Sequence, residues 1–170
     1  MPAGDEPPLM PDDPGESRVI ATLLRGRLTN AKTPLVVDVG DDVAVLDSGL
    51  AVGADLMVEG VHWDGRLSAE DVGWKLVAVN ASDLGASGAR PAWTTLSLAL
   101  PRPLDHAWVE QFAAGLHAAL NTWNISLIGG DTTRSPGPRF AGLTMGGPAR
   151  RPVRRSGALP GDTLWVTGTL

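Results

Sequence analysis

A chain of 170 residues with 43% hydrophobic and 19% charged positions can build one domain with a real core, and it is too apolar for a disordered segment. The formal net charge of −5, with no basic tract beyond the pairs Arg150-Arg151 and Arg154-Arg155, argues against nucleic acid as a partner. With no cysteine and no apolar run near the ~18 residues that cross a bilayer, disulfides, thiolate chemistry and a membrane partner are excluded, and a cytoplasmic location is the expectation.

Residues 1–15 hold five prolines and four acids and read as a disordered tail. A domain is expected over 16–150. Its first element is a short amphipathic helix over 16–28, from the spacing of Val19, Ile20, Leu23, Leu24 and Leu28. Short strands follow at 35–37 and 43–46. Asp47-Ser48-Gly49 then turns the chain into a strand that starts at Leu50-Ala51-Val52 and heads for Asp55, which reads as a hairpin.

Ser68 with Asp71 three residues on makes a capping box, and the helix it opens places Val72, Leu76 and Val79 inward. Asn80 and Asp83 share a face near the end of that helix, which Gly85, Gly88 and Pro91 stop. A strand over 93–100 and a helix capped by Asp105, with Trp108, Phe112, Leu116 and Leu120 every four residues, come next. Leu127 and Ile128 read as the buried end of a strand that hands over to a loop, Gly129-Gly130-Asp131-Thr132-Thr133-Arg134. Strands over 140–145 and 163–166 complete the series, and 151–170 reads as the start of a linker to a further domain beyond Leu170. The fold class is α/β (α+β): a mixed, largely antiparallel sheet with helices packed on one face.

Four times the chain delivers an acid at the edge of an apolar segment: Asp42, Asp55, Asp83 and Asp131. An acid at a helix C-terminus, such as Asp83, opposes the helix dipole and calls for a compensating cation. If the four converge, two unit charges ~4 Å apart repel by ~4 kcal/mol at an effective dielectric of about 20, a strain that a bound divalent ion relieves. Oxygen donors and only three histidines favour Mg²⁺ over zinc. Carboxylate-held Mg²⁺ with spare arginines is equipment for phosphoryl transfer, yet no GxxxxGK[ST] loop is present, so a nucleotide would be held in another way. A calcium store or a phosphatase site stays open at this level. His62, beside Trp63 in a loop, is by itself more often surface or core than functional.

Several phrases together resemble one family: Val39-Gly40-Asp41-Asp42-Val43-Ala44-Val45-Leu46, Val58-Glu59-Gly60-Val61-His62-Trp63, Ala78-Val79-Asn80-Ala81-Ser82-Asp83-Leu84, Leu127-Ile128-Gly129-Gly130-Asp131-Thr132-Thr133-Arg134 and Arg155-Ser156-Gly157-Ala158. They are similar to the thiamine-monophosphate kinases, which share the architecture of aminoimidazole ribonucleotide synthetase. The resemblance implies the N-terminal, ATP- and Mg²⁺-binding part of an enzyme that phosphorylates thiamine monophosphate to thiamine diphosphate. It makes Asp42, Asp55, Asp83 and Asp131 metal ligands, places Gly130, Asp131 and Arg155 at ATP, and puts His62 at the thiamine substrate. It further implies a homodimer formed through the sheet.

One segment departs from the family pattern. Gly53, Ala54 and Leu56 stand where the family usually has hydroxyl residues that help to hold metal, so weakened Mg²⁺ affinity is expected. The alternatives to the kinase are a catalytically impaired nucleotide-binding module and a sister ATP-dependent enzyme of the same superfamily.

Overall fold

The computed structural model describes residues 14–25, 34–166 and 168, in two compact units, Met1–Pro34 and Leu35–Leu170. In the first unit, helix α1 spans Pro14–Leu24. A proline suits the opening turn, where its missing N–H has no intrahelical partner to lose. The helix thus starts two residues before the expected 16–28, and positions 26–28 lie outside the described residues. So does the tail proposed for 1–15, apart from Pro14 and Gly15.

The second unit is a six-stranded sheet with two long helices. Its strands are β1 Leu35–Val37, β2 Ala44–Leu46, β3 Leu50–Val58, β4 Trp93–Leu100, β5 Ser126–Arg134 and β6 Phe140–Pro148; the helices are α2 Ala69–Ala86 and α3 His106–Trp123. The sheet order is β1-β2-β3-β6-β4-β5, antiparallel throughout except for the parallel pair β4–β5. This is the mixed, largely antiparallel architecture expected. The β2–β3 hairpin closes where Asp47-Ser48-Gly49 predicts it, with the Gly49 N–H donating to the Leu46 carbonyl at 2.9 Å.

Local signals fix the helix ends. The Ser68 hydroxyl accepts from the Asp71 N–H at 3.0 Å while the Asp71 carboxylate accepts from the Ser68 N–H at 3.2 Å, which closes the capping box. Asp105 accepts from the Trp108 N–H at 3.0 Å and starts α3. The buried face of α2 is Val72, Leu76, Val77, Asn80 and Leu84; Val77 rather than Val79 is fully buried, because the face follows four-residue steps from Val72 and Gly73. That face meets Phe112, Leu116, Ala119 and Leu120 of α3 and the inward residues Ala51, Met57, Ala141, Leu143 and Met145 of the sheet. The two helices meet backbone to backbone. A Cβ on Gly73 would lie 2.2 Å from the Phe112 carbonyl oxygen, and one on Gly115 would lie 1.9 Å from that of Glu70.

Two sequence expectations about β5 fail. The Gly129–Arg134 segment is part of β5 rather than a loop, and Leu127 and Ile128 are 40% and 61% exposed rather than buried. Both follow from the position of β5 at the edge of the sheet, with β4 on one side and no strand among the described residues on the other. A register shift between Thr94 and Thr95 leaves Ile128 without a partner on β4. The strand expected over 163–166 is likewise absent. Leu164 and Trp165 are 98% and 88% exposed, and no described strand pairs with the segment. A single helical turn, Arg155–Gly157, is the only regular structure described after β6. Among the described residues no helix is long and apolar enough to cross a membrane.

Candidate active site

The site starts from an incomplete edge. β2 pairs with β3 only at Ala51 and Val52, so beyond Val52 the outer side of β3 has no strand partner among the described residues. A buried amide takes over. Asn80, 2% exposed on α2, accepts from the Asp55 N–H at 3.0 Å through Oδ1 and donates to the Leu76 carbonyl at 2.8 Å through Nδ2. This pins the open edge of β3 to α2 and leaves Asp83, three residues further along the same helix, on the side facing Asp55. Asp42 enters from the turn before β2, where its backbone oxygen flanks Gly53 of β3.

The electrostatics register this convergence. Burial lifts the carboxyl of half-buried Asp83 above its ordinary pKa, the negative charges of Asp55 and then Asp42 add to the shift, and the Arg155 guanidinium opposes it. Arg155 is anchored twice: its guanidinium pairs with Asp42, and its backbone N–H donates to the Asp41 carboxylate at 2.6 Å. The neighbouring Arg154 guanidinium donates to the Val36 carbonyl. The helical turn after β6 is thereby tied back to the acid-bearing turn of the sheet. Asp42, Asp55, Asp83 and Arg155, far apart in sequence, form one electrostatic unit.

Asp131 is not part of it. In the sheet register Asp131 lies opposite Ser97, and beyond that opposite Gly142 and Leu56, whereas Asp55 shares a row with Leu143, Leu96 and Gly130. Three strand steps, on the order of 14 Å across the sheet, separate the two acids. Gly130 has a definite reason to be glycine, since a Cβ there would lie 1.9 Å from the Leu96 carbonyl oxygen. Both residues are exposed.

His62 lies in the turn after β3, at a cavity of about 410 Å³ that Trp63, Asp64, Arg66 and Lys75 also line. Its Nδ1 accepts from the Val58 N–H at 3.0 Å, its own N–H donates to the Val58 carbonyl at 2.8 Å, and its carbonyl accepts from Lys75 Nζ at 2.7 Å. At the base of this turn Glu59 accepts from the backbone N–H and the guanidinium of Arg139, which lies 4.7 Å over the Trp108 ring.

An oxygen-only donor set crowded enough to perturb Asp83 fits a hard divalent cation such as Mg²⁺. Among the described residues no three acids or histidines stand close enough to hold one ion between them, so water or phosphate oxygens would complete its shell. At the departing segment, a side chain on Gly53 would start 2.9 Å from Val43 Cγ1, while Ala54 is exposed. The missing hydroxyl is thus easily restored at position 54 and only with movement of Val43 at position 53. Sequence reasoning missed the roles of Asn80, Asp41 and Lys75. For Asn80 a signal existed: it is the one polar residue in the four-residue series Val72, Leu76, Asn80, Leu84.

Comparisons with known proteins agree with this architecture. The chain is 42% identical over 159 residues to the thiamine-monophosphate kinase of Salmonella typhimurium, a match covering 91% of this chain and 48% of that protein. The crystal structure of thiamine monophosphate kinase from Aquifex aeolicus superposes with a TM-score of 0.69 at 29% identity, over 84% of this chain and 44% of that one. A structure described as AaThiL complexed with AMPPCP and TMP superposes at 0.66 and 30% identity, over 84% and 43%. The chain spans about half the length of the curated relatives it matches. Residues 40–148 match the family of AIR synthase related proteins, N-terminal domain, and the chain belongs to that family.

Proposed function

We propose that this chain is the N-terminal, ATP- and Mg²⁺-binding part of a thiamine-monophosphate kinase, which transfers the γ-phosphate of ATP to thiamine monophosphate and yields thiamine diphosphate. The observation that carries this reading is the convergence of Asp42, Asp55 and Asp83 beside Arg155 on a fold whose relatives bear that name. A bound Mg²⁺ would neutralise phosphate charge in the transfer. The chain's own residues do the rest. The carboxylates of Asp42, Asp55 and Asp83 supply anionic oxygen for bound Mg²⁺, whose shell water or phosphate oxygens complete, and Arg155, a permanent cation with a planar array of donors, meets phosphate oxygens. The ring of His62, whose Nδ1 accepts from the Val58 N–H, offers Nε2–H to the thiamine substrate.

In this reading Asp131 is the fourth metal ligand, and Gly130 and Asp131 line the nucleotide. Their exposure at a sheet edge supports completion of the site by what packs there. The same open edge, with Leu127 and Ile128 unburied, supports a homodimer formed through the sheet. Residues 16–150 are then the nucleotide and dimerisation domain, 151–170 lead into a second domain, and the enzyme works in the cytoplasm. A nucleotide-binding module without turnover is the second reading, favoured by the absence of hydroxyl side chains at Gly53, Ala54 and Leu56.

The deciding experiment incubates thiamine monophosphate, ATP and Mg²⁺ with this chain and with the complete gene product, and measures thiamine diphosphate. Formation by the complete product establishes the kinase. Binding of ATP without product in either case refutes it in favour of the module.

A further inference from the structure

The turn that carries His62 is held by a contact from another element. Val58, Val61 and His62 already close the turn through their own backbone, with N–H groups of Val61 and His62 on the Val58 carbonyl at 3.1 and 2.8 Å and the Gly60 N–H on the Trp63 carbonyl at 2.7 Å. The ring folds back so that Nδ1 accepts from the Val58 N–H, and this leaves Nε2 as the ring's N–H donor in a residue that lines the cavity. That orientation depends on the peptide following the ring. Its carbonyl is taken by the ammonium of Lys75, one turn beyond the capping box of α2, at 2.7 Å.

Lys75 is half-buried, lines the same cavity and, among the described residues, has no carboxylate at ion-pair distance. An ammonium of this kind forms a charge-assisted bond to the carbonyl, roughly twice as strong as a neutral one. Its base is rigid, because Gly73, two residues earlier, sits against the α3 backbone. We propose that Lys75 is a positioning residue for the thiamine-phosphate pocket: by holding the His62 carbonyl it fixes the turn and with it the tautomer and direction of the His62 ring. The proposal rests on the kinase reading for the identity of the ligand, but not for the geometry.

The test uses the complete gene product and the variants Lys75→Met, Lys75→Arg, His62→Ala and the Lys75→Met/His62→Ala double variant. For Lys75→Met the KM for thiamine monophosphate rises roughly tenfold, as loss of orientation without loss of a contact would give, while the KM for ATP and kcat stay within about twofold. Lys75→Arg recovers most of the loss, since it still donates to the carbonyl. The double variant is no worse than His62→Ala alone, because the two residues act through one ring.

A second readout needs no turnover. Side-chain ¹⁵N spectra of His62 show the Nε2–H tautomer in the wild-type protein and a mixture in Lys75→Met. An unchanged tautomer in that variant overturns the proposal even if the wild-type protein makes no thiamine diphosphate, so the two failures are distinct. Losses that multiply in the double variant also overturn it, since Lys75 would then touch the substrate itself.

Discussion

Strands β3 and β5 are each nine residues long and each carries an aspartate at its sixth position, Asp55 and Asp131. Their fates differ. β3 runs beneath α2, buries Ala51 and Met57, and has its open edge closed by Asn80, so its acid is delivered to a place shared with Asp42 and Asp83. β5 is exposed along its whole length, and its acid lies at the sheet edge, three strands away from that cluster. Two similar strand patterns thus give one acid a defined electrostatic setting and leave the other open. What decides between them is the neighbouring element, a property that period and composition do not encode.

The comparison can be broken most forcefully at what holds α2 in place. Gly73→Ala sets a methyl group against the Phe112 carbonyl and should cost about 3 kcal/mol, since backbone cannot yield as a side chain can. Urea unfolding would show it, and in the monomeric chain Ile128→Ala on β5 should stay within about 0.5 kcal/mol. Equal losses would mean that β5 is buried in the folded protein after all.

The acids come next. In the complete gene product Asp55→Asn should lower formation of thiamine diphosphate by on the order of 100-fold, with a rise in the Mg²⁺ concentration required. Asp131→Asn should match it in activity while leaving the stability of this domain unchanged. A near-normal rate for Asp131→Asn would remove that residue from the metal set.

Ser68→Ala should cost about 1 kcal/mol by opening the capping box that starts α2. The smallest effect is electrostatic. Because the folded protein holds the Asp83 proton more tightly than the unfolded chain does, its contribution is fully present below the unfolded pKa and is lost as pH rises through the folded one. At pH 7 and without metal, Asp83→Asn should therefore stabilise by a few tenths of a kcal/mol, the size of a like-charge contact. Thermal melts between pH 3 and 7 check the sign. Added Mg²⁺ should stabilise the wild-type protein and not the variant.

Legibility in the sequence followed the range of the interactions. The caps at Ser68 and Asp105 and the turn at Gly49 were readable because each signal and its partner lie within three residues. Asp83 was readable as an acid in need of a cation because its place at a helix end is itself local. The exposure of Leu127 and Ile128 was not readable, since an apolar pair predicts burial only if a neighbour covers it. Nor was a strand at 163–166 a sound expectation, as β-propensity without a partner forms no ladder. The bond from Lys75 to the His62 carbonyl spans 13 residues and joins a loop to a helix, and no periodicity announces it.

Helix α2 carries both Lys75, which serves the His62 turn, and the Asn80–Asp83 pair, which serves the acid cluster. Eight residues at ~1.5 Å each make it a ruler of about 12 Å between the two places. Substitutions along the ruler can retune either end without changing their separation. A single insertion or deletion between them would instead turn one end by about 100° about the helix axis relative to the other, so the spacing tolerates a change of residue identity but not of residue number.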